Sequence, residues 1–382
     1  MMRQLGVIVM ALFAVASANS AFSQIFTDDL SSGTNWTIVQ DSDASALFGF
    51  DYSTKGVPTA PNGSDTVGLK FEVNNNAGSA NSIVAINNNG AYTGQYTFRV
   101  DAWLNWAPAG GGIGTGTTEF IGVSVGHDGS AALPLGGTLL FSSDGDSGAT
   151  DYRLHKEGDQ LQSESGQYAA GDIAGARNNS DPHYANAFPA IDIAAAVPAQ
   201  GTFGTNAAGA GGFQWMTINV EVDTDAVGTT GNTSDAGFAR VSMRSDNSGN
   251  TIEIGTIDNS NGDTFFAANL DGSVGLIMAD IFSSVAVNPA FSFGIFDNVQ
   301  VLSGLVPLPD DSLAGDFNGS GFVDGQDFLE WQRDTAVGSL SDWQSNFGTG
   351  NTNLSVATAV PEPATWLLLI TTGMTALRVR VS

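Results

Sequence analysis

The densest set of candidate metal ligands lies near the carboxyl end, in Asp316-Phe317-Asn318-Gly319-Ser320-Gly321-Phe322-Val323-Asp324-Gly325-Gln326-Asp327. A calcium ion takes about six to eight oxygens, and a looped chain supplies them from alternating positions. Asp316, Asn318 and Ser320 stand at positions one, three and five, the Phe322 carbonyl at seven, and Asp324 and Asp327 at nine and twelve. Gly321 at six permits the sharp turn, and Val323 at eight is expected to pack inward. A mere Asp/Asn/Gly-rich linker would share the composition without this register. Ser320 is a weaker ligand than a carboxylate, so reduced affinity is expected.

A second acidic string, Glu221-Val222-Asp223-Thr224-Asp225, sets carboxylates at alternating positions. Period-two spacing places them on one strand face, where two carboxylates can flank a glycosidic bond. The plainer reading turns Val220 and Val222 inward and leaves Glu221, Asp223 and Asp225 on a solvent face. His127, His155 and His183 lack zinc or triad spacing and read as surface or turn residues. Gly110-Gly111-Gly112-Ile113-Gly114-Thr115-Gly116 lacks the Lys-Ser/Thr of a phosphate loop and reads as a hairpin turn. Trp103, Trp106 and Trp215 suit either sugar stacking on an exposed face or the filling of a core.

The elements that must position these residues are strands. Tyr96, Phe98, Val100, Ala102 and Leu104 alternate with more polar neighbours. So do Ile121, Val123 and Val125, then Met216, Ile218, Val220 and Val222. Val274, Leu276 and Met278 follow, with Phe291, Phe293 and Ile295 last. Turn clusters such as Asn87-Asn88-Asn89-Gly90 and Asp144-Gly145-Asp146 separate them, which predicts an antiparallel sandwich or barrel. Residues 157–212, rich in Ala, Gly, Asn and Pro, break the rhythm and read as a long, partly ordered insertion.

After the ligand loop, Phe328-Leu329-Glu330-Trp331-Gln332-Arg333 starts a helix. Leu340-Ser341-Asp342-Trp343-Gln344 echoes it without a ligand loop of its own. One calcium, two short helices, and a small core of Phe328, Trp331, Trp343 and Phe347 are expected. Leu305-Val306-Pro307-Leu308-Pro309 reads as a semi-rigid linker before this module.

Composition narrows the function. The 382 residues carry a net charge of −27 with no basic patch, which excludes nucleic-acid binding. Zero cysteines exclude disulfides, thiolate nucleophiles, zinc–thiolate sites and iron–sulfur clusters. The amino end pairs Arg3 with the apolar Leu5–Ala16 and then small residues, as a secretory signal does, with cleavage after Ala18 or after Ser23. The carboxyl end runs Val360-Pro361-Glu362-Pro363, the apolar Ala364–Leu377, then Arg378-Val379-Arg380. Interrupted by Thr371-Thr372-Gly373, that short hydrophobic helix suits transient rather than permanent membrane association.

Four resemblances attach to these residues. The Pro-Glu-Pro, apolar run and basic end resemble the PEP-CTERM sorting signal of Gram-negative bacteria, which implies an exosortase-type processing enzyme as partner. Phe26-Thr27-Asp28-Asp29 and the closing Phe291–Val301 resemble the concanavalin A-like lectin/glucanase superfamily in its LamG-like style. That likeness implies a jelly-roll sandwich whose first and last strands pair, with Asp297-Asn298-Val299 entering the last one. The ligand loop resembles a type I dockerin repeat, whose twelfth position is Asp. Dockerins normally carry two loops for a cohesin-like partner, and this chain has one. The acidic string resembles the Glu-x-Asp-x-(x)-Glu of laminarinase-type hydrolases, with Asp225 in place of the last Glu.

The resulting expectation is all-β. It assigns a signal peptide to 1–23, a concanavalin A-like sandwich to 24–303, and a linker to 304–312. A dockerin-like module at 313–348, a linker at 349–359 and the sorting signal at 360–382 complete it. Such a chain would be exported to the cell surface or medium as a non-enzymatic binder of polysaccharide or matrix, an adhesin in effect. An atypical polysaccharide hydrolase and a structural spacer are the alternatives.

Overall fold

The computed structural model describes residues 23–76, 78–106, 119–129, 136–142, 151–200, 204–226, 236–261, 267–282, 285, 288–308, 315, 317, 323, 325–333 and 335–349. The expected signal peptide and sorting signal therefore lie outside the described residues, Ser23 apart. The chain divides between Ser312 and Leu313 into two compact units.

The strands of the first unit, numbered along the chain, begin with β1 (Gln24–Asp28), β2 (Trp36–Gln40), β3 (Ala44–Asp51), β4 (Val67–Val73), β5 (Asn81–Asn87) and β6 (Gln95–Asn105). Next come β7 (Glu119–His127), β8 (Gly137–Ser142), β9 (Tyr152–Lys156), β10 (Asp159–Gln160), β11 (Ile191–Asp192) and β12 (Thr205–Asn206). The last are β13 (Trp215–Asp223), β14 (Phe238–Ser245), β15 (Thr251–Asp258), β16 (Ser273–Asp280) and β17 (Phe293–Ser303). The larger sheet runs β15-β14-β13-β6-β17-β4-β3, with β1 also on β17. The smaller runs β10-β9-β8-β7-β16-β5-β2, and β11 pairs with β12 alone. Every pairing is antiparallel.

The alternating residues explain the two layers. Phe98, Val100, Leu104, Ile218 and Val220 from the larger sheet and Ile121, Val123, Leu276 and Met278 from the smaller join one buried cluster. Burying such side chains stabilises by roughly 1.5–3 kcal/mol each before the entropy of ordering them. The fold is thus the expected antiparallel β-sandwich, and β1 pairs with β17 as the jelly-roll resemblance implied. Asp297-Asn298-Val299 lies inside β17 rather than at its start. It sits mid-strand at a bulge against β6, where Asn298 takes a left-handed φ of 55°.

A second correction concerns the outer face of the larger sheet, which is not polar throughout. Trp103, Trp215, Phe213, Phe293 and Ile295 form a separate buried cluster there with Tyr52, Val57, Ile191, Ile193 and Val197. Phe293 and Ile295 therefore belong to this outer cluster, while Phe296, Val299 and Val301 fill the space between the sheets.

The 157–212 insertion, described except at 201–203, supplies much of this cover. It contains β11, β12, α1 (Pro182–Ala185) and α2 (Ile193–Ala196), each helix capped by an Asp side chain that accepts a backbone N–H. Tyr168, Tyr184 and Phe188 from the same stretch enter the main core. It is an ordered layer.

The second unit contains α3 (Gly325–Arg333) and α4 (Leu340–Asn346), whose N-cap is Ser339. α3 begins at Gly325, not at Phe328, so Asp327 falls in its first turn. The expected aromatic residues touch, though none is buried and Phe347 is 57 % exposed: Phe328 lies 6.0 Å from Trp331 and 4.9 Å from Trp343, and Trp343 lies 5.0 Å from Phe347. Among the described residues no helix is long and apolar enough to cross a membrane.

Candidate functional site

Of the predicted calcium ligands, Asp316, Asn318, Ser320, Phe322 and Asp324 lie outside the described residues. Of the six, Asp327 alone is described. Asp327 is fully buried at the head of α3, and Val323 is fully buried as position eight requires. The Val323 amide donates to the Thr349 carbonyl at 2.9 Å, and its carbonyl accepts from Gly348 N at 2.8 Å. Phe317 packs so closely on Gly338 that any side chain there would collide with its ring. An all-oxygen donor set suits calcium rather than a soft metal. Among the described residues no group of at least three His, Asp or Glu is placed to hold a metal.

The acidic string is a solvent face only towards its end, where Asp223 is half-buried and Asp225 exposed. Val220 and Val222 do fill the core, but Glu221 is only 2 % exposed. Arg240 on β14, directly opposite in register, holds it with a fork of 2.9 and 3.1 Å. Asp223 accepts from Gln95 Nε2 at 2.8 Å, and Asp225 lies past the end of β13. Both Glu221 oxygens are committed to a guanidinium, so the string lacks an uncommitted carboxylate pair flanking a cleft.

Two carboxylates that the sequence did not single out meet nearby. Asp101 on β6 and Asp297 on β17 are register partners on the larger sheet, and both are buried. Asp101 accepts from Thr217 Oγ1 (2.7 Å), Asn62 Nδ2 (2.8 Å), Asn298 Nδ2 (2.9 Å) and Asn62 N (3.1 Å). Asp297 accepts from Asn298 N at 2.7 Å and from the Tyr52 hydroxyl at 2.9 Å. Burial pushes the Asp297 carboxyl up to about 7, and the negative charges of Asp101 and Asp65 push the same way. This network ties the loop carrying Asn62 to the sheet. Its donors are spent, so it is a fastening.

The smaller sheet carries a different feature on its outer face. Ser124 on β7 pairs with Thr138 on β8, and Thr138 pairs with His155 on β9. Register partners share a face, so the three stand side by side, opposite to Val123, Val125, Leu139 and Leu154 in the core. Ser124 and Thr138 have no exposure and His155 has 7 %. Yet among the described residues Ser124 Oγ, Thr138 Oγ1 and His155 Nε2 have no hydrogen-bond partner. An orphaned buried polar group costs about 1–3 kcal/mol, so three in one row need an explanation.

The surroundings define what the row can recognise. His155 was expected at the surface or in a turn; instead burial pushes it down to about 4, so the ring is neutral at physiological pH. Its Nδ1 faces the Gly158 carbonyl at 3.4 Å. A carbonyl only accepts, so Nδ1 carries the proton and Nε2 offers a lone pair. Gly275 continues the row beyond Ser124, and any side chain there would come within 2.6 Å of Ser124 Oγ. Alongside lies an apolar strip of Val84, Phe120, Leu140 and Ile277. Arg153 covers the Phe120 ring at 4.6 Å and donates to Gln160 Oε1 at 2.8 Å. His127 is likewise buried, and its Nδ1 accepts from Gly129 N.

Trp103, Trp106 and Trp215 are all at most 2 % exposed and fill the outer cluster, so the stacking alternative does not hold for them.

No family model matches the chain, and no curated protein matches it. Solved structures give distant likenesses. The Emp47p carbohydrate recognition domain is 14 % identical, with 76 % of this chain and 100 % of that one covered at a TM-score of 0.33. A Bacillus subtilis protein of unknown function with a galectin-like fold is 8 % identical over 75 % and 100 %, at 0.37. A PL-14 alginate lyase from Aplysia kurodai is 14 % identical over 74 % and 99 %, at 0.35. These are likenesses of fold alone.

Proposed function

We propose that the sandwich is a non-enzymatic carbohydrate-binding domain that reads sugar hydroxyls with the outer face of its smaller sheet. The observation that carries this is the row of Ser124, Thr138 and His155, buried and without partners. Two hydroxyls can each donate and accept, and the His155 Nε2 accepts. An adjacent apolar strip suits the C–H face of a pyranose. Neighbouring strands stand about 4.8 Å apart, so the row spans the width of roughly two rings. Because these side chains are buried, ligand entry must displace what covers the face.

The domain belongs, on this reading, to an exported chain displayed at the cell surface or released, where it serves adhesion to polysaccharide or matrix. The carboxyl-terminal Pro-Glu-Pro signal would be processed by an exosortase-type enzyme after transient membrane association. Asp316, Asn318, Ser320, the Phe322 carbonyl, Asp324 and Asp327 would hold one Ca2+, which stiffens the helical module. With a single loop, a cohesin-like partner is the weakest of the inherited expectations.

The full chain on a glycan array, with and without calcium, tests the binding. Neutral glycans should be retained, and His155→Leu should lower their signal about tenfold, as loss of one well-placed acceptor does. An array with no retained glycan would sink the reading. For the loop, titration calorimetry on the full chain should detect one calcium site that Asp316→Ala and Asp327→Ala each abolish. Unchanged binding in those variants would refute the ligand assignment.

A further inference from the structure

We infer that the larger sheet carries a second ligand site, independent of the Ser124 row, which takes a small organic cation with an ammonium head and a short apolar body. A cavity of about 360 Å3 lies against the outer face of that sheet, which is large enough for a molecule of amino-acid size. Trp103, Phe213 and Trp215 line it together with Pro58, Ile191 and Ala196. The Trp103 and Trp215 rings meet edge to face at 5.8 Å, and Trp215 Nε1 donates to the Pro58 carbonyl at 2.8 Å. These contacts give the cavity a preformed floor.

The polar lining decides the ligand's charge. Its ionisable members are Asp192 and Asp246, and among the described residues neither Lys nor Arg lines the cavity. Asp192 spends one oxygen, Oδ1, on the Ala194 amide at the start of α2. Asp246 is anchored by its backbone, whose N–H donates to the Trp215 carbonyl at 3.0 Å. Asp246 is exposed on one side, and partial desolvation raises its pKa against the lowering field of Arg244. The Arg244 Nε itself donates to the Gly249 carbonyl at 3.3 Å. Gln214 is committed at both ends, to the Ala210 carbonyl and to Ser245 Oγ. The lining therefore offers carboxylate oxygens above an apolar floor. A weakly hydrated ammonium gains a charge contact with those carboxylates and an apolar contact with Pro58, Ile191 and Ala196, and loses little hydration on entering.

Choline and its uncharged isostere 3,3-dimethylbutan-1-ol are the probes, titrated into the full chain by calorimetry with tryptophan fluorescence in parallel. Choline should bind at least about tenfold more tightly than the alcohol. Asp246→Asn and Asp192→Asn should each weaken choline about fivefold or more and leave the alcohol unmoved; Asn keeps the α2 cap intact. Asp172→Asn, an exposed acid elsewhere in the same insertion, controls for the net charge and should change nothing. The site is overturned if choline does not bind, if the two probes bind alike, or if Asp172→Asn weakens choline as much as Asp246→Asn.

Discussion

Asp101→Ala should cost the sandwich about 3–5 kcal/mol, read as a lower urea midpoint at unchanged slope. Asp101 is fully buried and accepts from Asn62, Thr217 and Asn298 through the four contacts of 2.7–3.1 Å described above. Removing the carboxylate strands every one of those donors at once, and each stranded donor costs about 1–3 kcal/mol, less what water recovers. It also leaves the Asn62 segment without its grip on β6. Asp101→Asn should retain part of the network and fall between the two. A loss below about 1 kcal/mol for the alanine variant would mean that water replaces the carboxylate, and the fastening role would be wrong.

The second large effect has opposite signs in stability and binding. In Ser124→Ala/Thr138→Val both orphaned hydroxyls vanish with little change of shape. Unfolding free energy should rise by about 1–3 kcal/mol, because the desolvation cost of those groups goes with them. Affinity for a retained glycan should fall about tenfold or more, since both groups lose their ligand partners. Groups that weaken the fold yet serve a ligand are typical of functional positions. A variant more stable but equal in binding would leave the row without a recognition role. A variant less stable would show that the hydroxyls have structural partners.

Much of the sandwich was readable from alternation. Tyr96, Phe98, Val100, Ala102 and Leu104 all face the core as their spacing demanded, as do Met216, Ile218, Val220 and Val222. The aromatic contacts of Phe328, Trp331, Trp343 and Phe347 were readable from the echo between the two short helices. What failed was the assumption that the opposite face of a strand is wet. Residues 157–212 and the segment near Tyr52 cover part of the larger sheet, so Trp103, Trp215 and Phe293 are buried where alternation placed solvent, and Glu221 is buried beside Arg240. Large aromatics at the outward positions of β6 and β13 were the available warning.

The candidate site was hardly legible. Ser124, Thr138 and His155 have unrelated spacings along the chain, and only strand register brings them together. Register depends on pairings across loops, which local spacing does not encode. His155 carried no local signal of burial.

The placement of β17 has a consequence for how the molecule is made. Within the larger sheet, β3-β4 on one side and β6-β13-β14-β15 on the other are joined only through this strand, the last of the sandwich to be synthesised. A nascent chain thus holds two half-sheets with raw edges until residue 303 is free, and closure must bridge a long sequence separation. The body of the domain cannot lock prematurely. It stays open until its final strand arrives, and then shuts like a keystoned arch.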